Sequence, residues 1–296
     1  MGRHFIANAL KVGLKLRVMV RDKSKLNDLT HSNLEVFEGS LGTNDAAFVK
    51  DCSIVLHMAG LIKARNRKLY DRVNVEAARK LAIACENEGV KRLVLLSSMA
   101  AREPSLSDYA ASKAIGEDAI KTAFTGKLAI IRAPAVFGAG DDATAPFMTA
   151  ILNGFLPVPG GRNWAHRKLS IVAVEDLVNH IINHSLKGEY DGKTVSPASI
   201  ASLTWPEFAT LASSAAERKV KAVPLPLWLL YPVAAITSIT SRVFGLGHLT
   251  LGKLREFLHP DWSSNYAIKD APPMQERLAH TLQAYNKAKL QQNGVG

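Results

Sequence analysis

Cysteine is scarce in this 296-residue chain, metal-ligand spacings are absent, and charge forms no dense run. Only Cys52 and Cys85 occur. That excludes a disulfide scaffold, fits a reducing compartment, and leaves both thiols to be read as small buried apolar residues. Nine histidines are present without an HExxH or comparable cluster, so no metal site is expected. The formal net charge is +11, yet Lys and Arg are dispersed, whereas a nucleic-acid binder concentrates them on one element. The expectation is a basic surface suited to anionic cofactors or an anionic membrane face, with no nucleic-acid partner. No internal repeat is visible, and the apolar residues of the first segment are periodic, unlike the continuous run of a signal peptide. A hydrophobic content of 47% with 21% charged residues fits a globular protein, expected in the cytoplasm or at the inner face of its membrane.

What is present is alternation. Leu16–Val20, Leu34–Phe37, Ile54–His57, Leu93–Leu96 and Leu128–Ile131 read as short apolar strands, with helical patterns between them at Asp71–Glu88, closed by Gly89, and at Tyr109–Phe124. Near-continuous apolar strands separated by helices predict an α/β fold with a doubly wound parallel sheet. Gly154 to Gly161 reads as a loop, and from Thr204 the pattern is mainly helical. The expected division is a nucleotide-binding domain over 1–155 and a smaller, mainly helical substrate lobe over 156–296, with some segments returning to the first domain.

The chemistry-bearing constellation is Leu95-Leu96-Ser97-Ser98 at a strand end, followed by Tyr109-Ala110-Ala111-Ser112-Lys113 opening a helix. Spacing i,i+4 puts Tyr109 and Lys113 on one helical face, where an ammonium favours the phenolate and readies the tyrosine for proton exchange with a substrate oxygen. A second Tyr-x-x-x-Lys, Tyr285 to Lys289, lacks the upstream strand and reads as a solvated helix face. These motifs resemble the extended short-chain dehydrogenase/reductases of the epimerase/dehydratase group. So do Ile54-Val55-Leu56-His57-Met58-Ala59-Gly60, Val73-Asn74-Val75, Gly116-Glu117, Arg132-Ala133-Pro134-Ala135-Val136-Phe137-Gly138 and Val174-Glu175-Asp176-Leu177. The resemblance implies a Rossmann-type fold and a catalytic group of Ser98 (second choice Ser97), Tyr109 and Lys113.

By the same resemblance the cofactor residues are Gly2, Arg21, Ala59, Gly60, Asn74, Tyr109, Lys113 and Pro134. Gly2 matches the third glycine of the phosphate-binding turn, where helix N-terminal amides meet a pyrophosphate. Arg21 follows Leu16–Val20, which matches the family's second strand, where an acidic residue would bond an adenine ribose. An arginine there suits a 2′-phosphate, so NADP(H) is favoured over NAD(H), although Asp22 beside it blurs the distinction. Ser40 stands where the family has an aspartate near the adenine. Asp176 is expected to be a helix cap, His57 a satisfied core residue, and Trp164, His166 and Arg167 either a cover over substrate or a mobile surface loop.

The uncharged stretch Ala222–Ser241 has three prolines and makes a poor membrane span. It reads as core helices of the substrate lobe, favoured because apolar helices are usually buried. The other reading is an apolar surface resting on a bilayer in peripheral membrane contact. Sequence texture around Ser98–Pro104 and Gly252–Trp262 is similar to a bacterial subgroup associated with sphingolipid synthesis. The reading that follows is an NAD(P)-dependent oxidoreductase acting on a ketone or secondary alcohol of a hydrophobic small molecule. The alternatives are a nucleotide-sugar epimerase/dehydratase and a non-catalytic NADPH-binding assembly subunit; the family implies a homodimer. In the family a strand and glycine-rich turn precede the residue matched by Gly2. Met1 is therefore expected to be internal, with the natural start roughly 10–20 residues earlier. The sheet should then be interrupted between the strands ending at Val20 and His57, and this form should bind its cofactor poorly.

Overall fold

Each strand expected in the first half forms, and two have the expected bounds. The computed structural model describes residues 1–26, 28–141, 144–244 and 249–292. It divides the chain into one unit of Met1–Arg132 with Val178–Val195 and another of Ala133–Leu177 with Ser196–Gly296.

The first unit opens with α1 (Gly2–Lys11), β1 (Leu16–Val20), β2 (Leu34–Glu38), α2 (Asp45–Val49) and β3 (Ile54–His57). A continuous helix follows as α3 (Arg67–Tyr70), a π-helical stretch Asp71–Ala77, and α4 (Ala78–Asn87). Gly89 closes it with a left-handed φ of 70°, the conformation that a helix C-terminus asks of a glycine. Next come β4 (Arg92–Ser98), α5 (Asp108–Ala123) and β5 (Lys127–Ala133). Ser107 caps α5, its Oγ accepting from Ala110 N at 2.9 Å, which fixes where Tyr109 enters the helix.

The first unit holds two parallel sheets. One is β1-β2; the other runs β3-β4-β5-β9, where β9 is Thr194–Val195. Helices α4 and α5 cover the larger sheet through a core that includes Leu81, Cys85, Leu93, Leu95, Ile120 and Ile130. Strands β1 and β3 belong to different sheets, and a cavity of about 1890 Å³ is lined by residues of both, among them Leu16, Val18, Val20, Ile54, Val55 and His57. The interruption of the sheet falls where it was expected, between the strands ending at Val20 and His57. Cys85 is fully buried, and burial pushes its thiol up to about 12. Cys52 is only half-buried, unlike the expectation for it.

The second unit contains β6 (Ala135–Phe137), α6 (Ala145–Leu152), β7 (Phe155–Pro159) and β8 (Lys168–Ala173). The helix α7 (Val174–His180) carries the chain back towards β9. The unit resumes with β10 (Pro197–Ala198), β11 (Ile200–Thr204), α8 (Trp205–Ala215), β12 (Lys221–Leu225), α9 (Leu227–Phe244), α10 (Leu251–Leu258), β13 (Tyr266–Ala267) and α11 (Met274–Gln292). Its core joins Ile151, Leu156, Ala212 and Leu278.

Several expectations fail in this unit. The Gly154–Gly161 segment is not all loop: Phe155–Pro159 pairs in parallel with Lys221–Leu225. Prolines are tolerated because each strand has a single neighbour, so half of its N–H groups are not needed for a ladder. Tyr285 is not on a solvated face. It packs against the core and its hydroxyl donates to Asp141 O. Most consequentially, the Ala222–Ser241 stretch is not core. Among the α9 side chains described, only Leu230 and Ala234 are buried, held by Leu254 of α10, while Trp228 is 77% exposed. Among the described residues no helix is long and apolar enough to cross a membrane.

Candidate active site

The end of β4 places two adjacent serines in different surroundings, as alternation along a strand requires. Ser97 is buried and donates to Glu117 Oε1 at 2.5 Å. Glu117, 1% exposed, also receives Arg132 through Nε at 3.0 Å and Nη2 at 2.7 Å. Ser97 is thereby spent inside a buried acid–base cluster. Ser98 is half-buried, and its Oγ accepts from Ala100 N at 3.2 Å in a short turn, Met99–Arg102. Accepting that bond leaves its proton to donate. The geometry therefore separates the two candidates, and Ser98 is the one able to present a hydroxyl.

On α5, Tyr109 and Lys113 lie one turn apart on a common face. Lys113 Nζ donates to Leu96 O at 3.1 Å, tying the helix to the end of β4. Burial pulls the Lys113 ammonium down to about 8, with nearby Glu117 acting in the opposite direction. Tyr70 lies beside Tyr109, ring centroids 6.1 Å apart, and its hydroxyl donates to Ile62 O at 3.0 Å. His57 is 4% exposed, and burial, followed by the charge of Lys113, lowers it to about 3. It stays neutral at physiological pH.

Asn74 sits in the π-helical stretch, an irregularity often found at functional sites. Its amide accepts from Leu61 N at 2.8 Å and donates to Leu61 O and Ser112 Oγ, both at 3.0 Å. It thus clamps the turn after β3 onto α5. A Cβ on Gly60 would stand 3.2 Å from Asn74 Oδ1 and 3.9 Å from Lys113 Nζ, so Gly60 keeps that corner open. The helices meet still more closely at Gly116, where a Cβ would lie 2.2 Å from Asn74 O. Backbone cannot yield that distance. Gly116→Ala is therefore expected to destabilise the protein by at least the roughly 1–3 kcal/mol of an overpacked core, seen as a lower urea midpoint with an unchanged m-value.

The cavity beside β1 and β3 gathers Gly2, Arg21, Ser40, Ala59 and Gly60. Four of these, Gly2, Arg21, Ala59 and Gly60, are among the residues that the family resemblance assigns to a dinucleotide, and their setting leaves room for one. Gly2 begins α1 with open space around its Cβ position, Arg21 is exposed at the cavity wall, and the glycine at 60 admits a close approach. Asn74, Tyr109 and Lys113 are not part of the cavity lining, but Asn74 and Lys113 adjoin it at Gly60. Pro134 is buried between β5 and β6 in the second unit.

Residues left undecided by sequence have definite settings. Asp176 is not a cap: it lies within α7, buried, and its carboxylate accepts from Arg277 Nη2 at 2.7 Å and Ser199 Oγ at 2.8 Å. Arg167 is buried, donating to Pro159 O at 2.7 Å and Gly160 O at 3.0 Å, and Trp164 packs on the core. They brace a turn. Ser97, Glu117 and Arg132 each lie in a motif shared with the family, but nothing in the sequence signalled that they meet in one cluster. Among the described residues no group of His, Cys, Asp and Glu could hold a metal ion.

Parallel sheets flanked by helices define a Rossmann-like α/β protein. A family model described as NAD(P)H-binding matches residues 1–136. The chain is 34% identical over 302 residues to a ceramide reductase of Caulobacter vibrioides, covering 97% of this chain and 92% of that one. Among solved structures it is similar to a UDP-N-acetylglucosamine 4-epimerase from Methanobrevibacter ruminantium (TM-score 0.71, 21% identity, 96% and 94% covered). It is also similar to a UDP-glucuronic acid 4-epimerase from Bacillus cereus (TM-score 0.69, 14% identity, 97% and 96% covered). The chain belongs to the extended short-chain dehydrogenase/reductase family.

Proposed function

We propose that the chain transfers hydride between NADP(H) and a ketone or secondary alcohol on a hydrophobic, lipid-like molecule. The observation that carries this reading is the tie between Lys113 Nζ and Leu96 O, which fixes the helix of Tyr109 against the strand end that bears Ser98. Similarity to a ceramide reductase, 34% identity over 97% of this chain, supports a keto-lipid over a nucleotide sugar. The exposed Arg21 on the cavity wall supports a 2′-phosphate on the cofactor.

The dinucleotide, when bound, supplies or accepts the hydride. Ser98 Oγ–H holds the substrate oxygen. Tyr109 gives that oxygen a proton in reduction and removes it in oxidation, so ketone, hydride and proton balance the alcohol. Lys113 favours the phenolate by its charge. Gly2, Ala59 and Gly60 let the dinucleotide approach backbone, Asn74 keeps the Leu61 turn in place beside it, and Pro134 completes the expected cofactor set. The residues after 155 supply substrate recognition. The deciding experiment follows NADPH oxidation with a long-chain keto-amide, with NADH as the competing cofactor, and follows conversion of a competing UDP-sugar by chromatography, because epimerisation or dehydration consumes no net NAD(P)H. The expected result is turnover of the keto-lipid with NADPH preferred. Turnover of the UDP-sugar alone, or no turnover of either while NADPH binds, would overturn it.

A further inference from the structure

Among the described residues, the helix α9 shows water an apolar face that no other part of its own unit covers. Trp228 is 77%, Ile236 61% and Ile239 62% exposed, with Leu229, Tyr231 and Val233 each above 40%. At 3.6 residues per turn these six positions sweep about 200° of the helix surface. Leu230 and Ala234, the buried pair, lie on the remaining arc, against Leu254. Single exposed apolar residues are ordinary, but a contiguous stripe of this breadth marks an interaction surface.

Charge identifies the occupant. From Arg218 to Arg255 there is no Asp or Glu, whereas six cations occur there: Arg218, Lys219, Lys221, Arg242, Lys253 and Arg255. Lys219, Lys221 and Arg255 are exposed. A helix with Trp, Tyr and isoleucine on one face, flanked by cations and free of acids, has the composition that lies in an anionic bilayer interface. No described helix is suited to crossing the membrane, so the contact is one of resting and not of spanning. We propose that α9 docks the protein on an anionic lipid surface through the Trp228–Ile239 face.

The test uses the full chain without cofactor or substrate, so its outcome is independent of the proposed reaction. Sedimentation with phosphatidylcholine vesicles holding a quarter phosphatidylglycerol should carry the protein down. Partitioning should fall at least tenfold for the double variant I236D/I239D and for pure phosphatidylcholine, and should weaken as salt is raised. Both positions are exposed, and circular dichroism melts should match between variant and parent. Failure of the parent to bind anionic vesicles overturns the proposal, as does equal binding by the variant. So does sedimentation-velocity dimerisation that the two aspartates abolish in a protein that ignores vesicles, which would make this face a contact between copies.

Discussion

Tyr109→Phe is expected to lower kcat for keto-lipid reduction by about 10²- to 10⁴-fold, the usual worth of a positioned proton donor, with KM little changed. The phenyl ring keeps its place beside Tyr70 and only the hydroxyl is lost. Lys113 gives the companion result. Its ammonium is pulled down to about 8 by burial, so kcat/KM should fall as pH rises through that value, when the charge that favours the phenolate disappears. An arginine remains protonated far above this range, and Lys113→Arg should lose the alkaline limb whatever its absolute rate. Stability runs the other way. The folded pKa lies below the ordinary lysine value of 10.5, so between about 8 and 10.5 the unfolded chain binds more protons, and stability gains with rising pH. Lys113→Met should flatten that gain while abolishing turnover. A Tyr109→Phe protein with parental kcat would remove the tyrosine from the reaction.

Most of the nucleotide-binding half was legible because its determinants are local. Alternation alone bounds Leu16–Val20 and Ile54–His57, and Gly89 ends α4 with the backbone angle only glycine adopts freely. The positions of Gly2, Arg21, Ala59 and Gly60 on one cavity follow from strand order, which a family pattern carries. What was not legible depends on distant partners. The ion pairs Arg132–Glu117 and Arg277–Asp176 join residues whose local context says only that they are charged, and in the second case it suggested a cap. The fate of Ala222–Ser241 is the sharpest instance. An apolar helix says that it will be covered without saying by what, and among the described residues of α9 the side of Leu230 and Ala234 finds a partner in its unit while the Trp228–Ile239 face stays exposed.

Glu117→Leu is the second large effect, and it separates structure from chemistry. The substitution strands the Arg132 guanidinium and leaves the buried Ser97 hydroxyl without its acceptor. Removing one member of a buried pair costs about 3–5 kcal/mol. With a quarter of its side chain exposed, Arg132 recovers some hydration, so the lower end is expected, read as a fall in the denaturant midpoint. Replacing both partners, as in Glu117→Leu with Arg132→Met, restores an apolar interior and should recover much of that loss; equal stability of single and double variants would show that the pair is not coupled. The chemistry should not recover. Glu117 supports the charged form of Lys113, and both variants lack it. The alkaline limb of kcat/KM should therefore move below about 8 in each, although only the single variant is markedly unstable. A double variant whose limb stayed in place would confine Glu117 to holding α5 against β5.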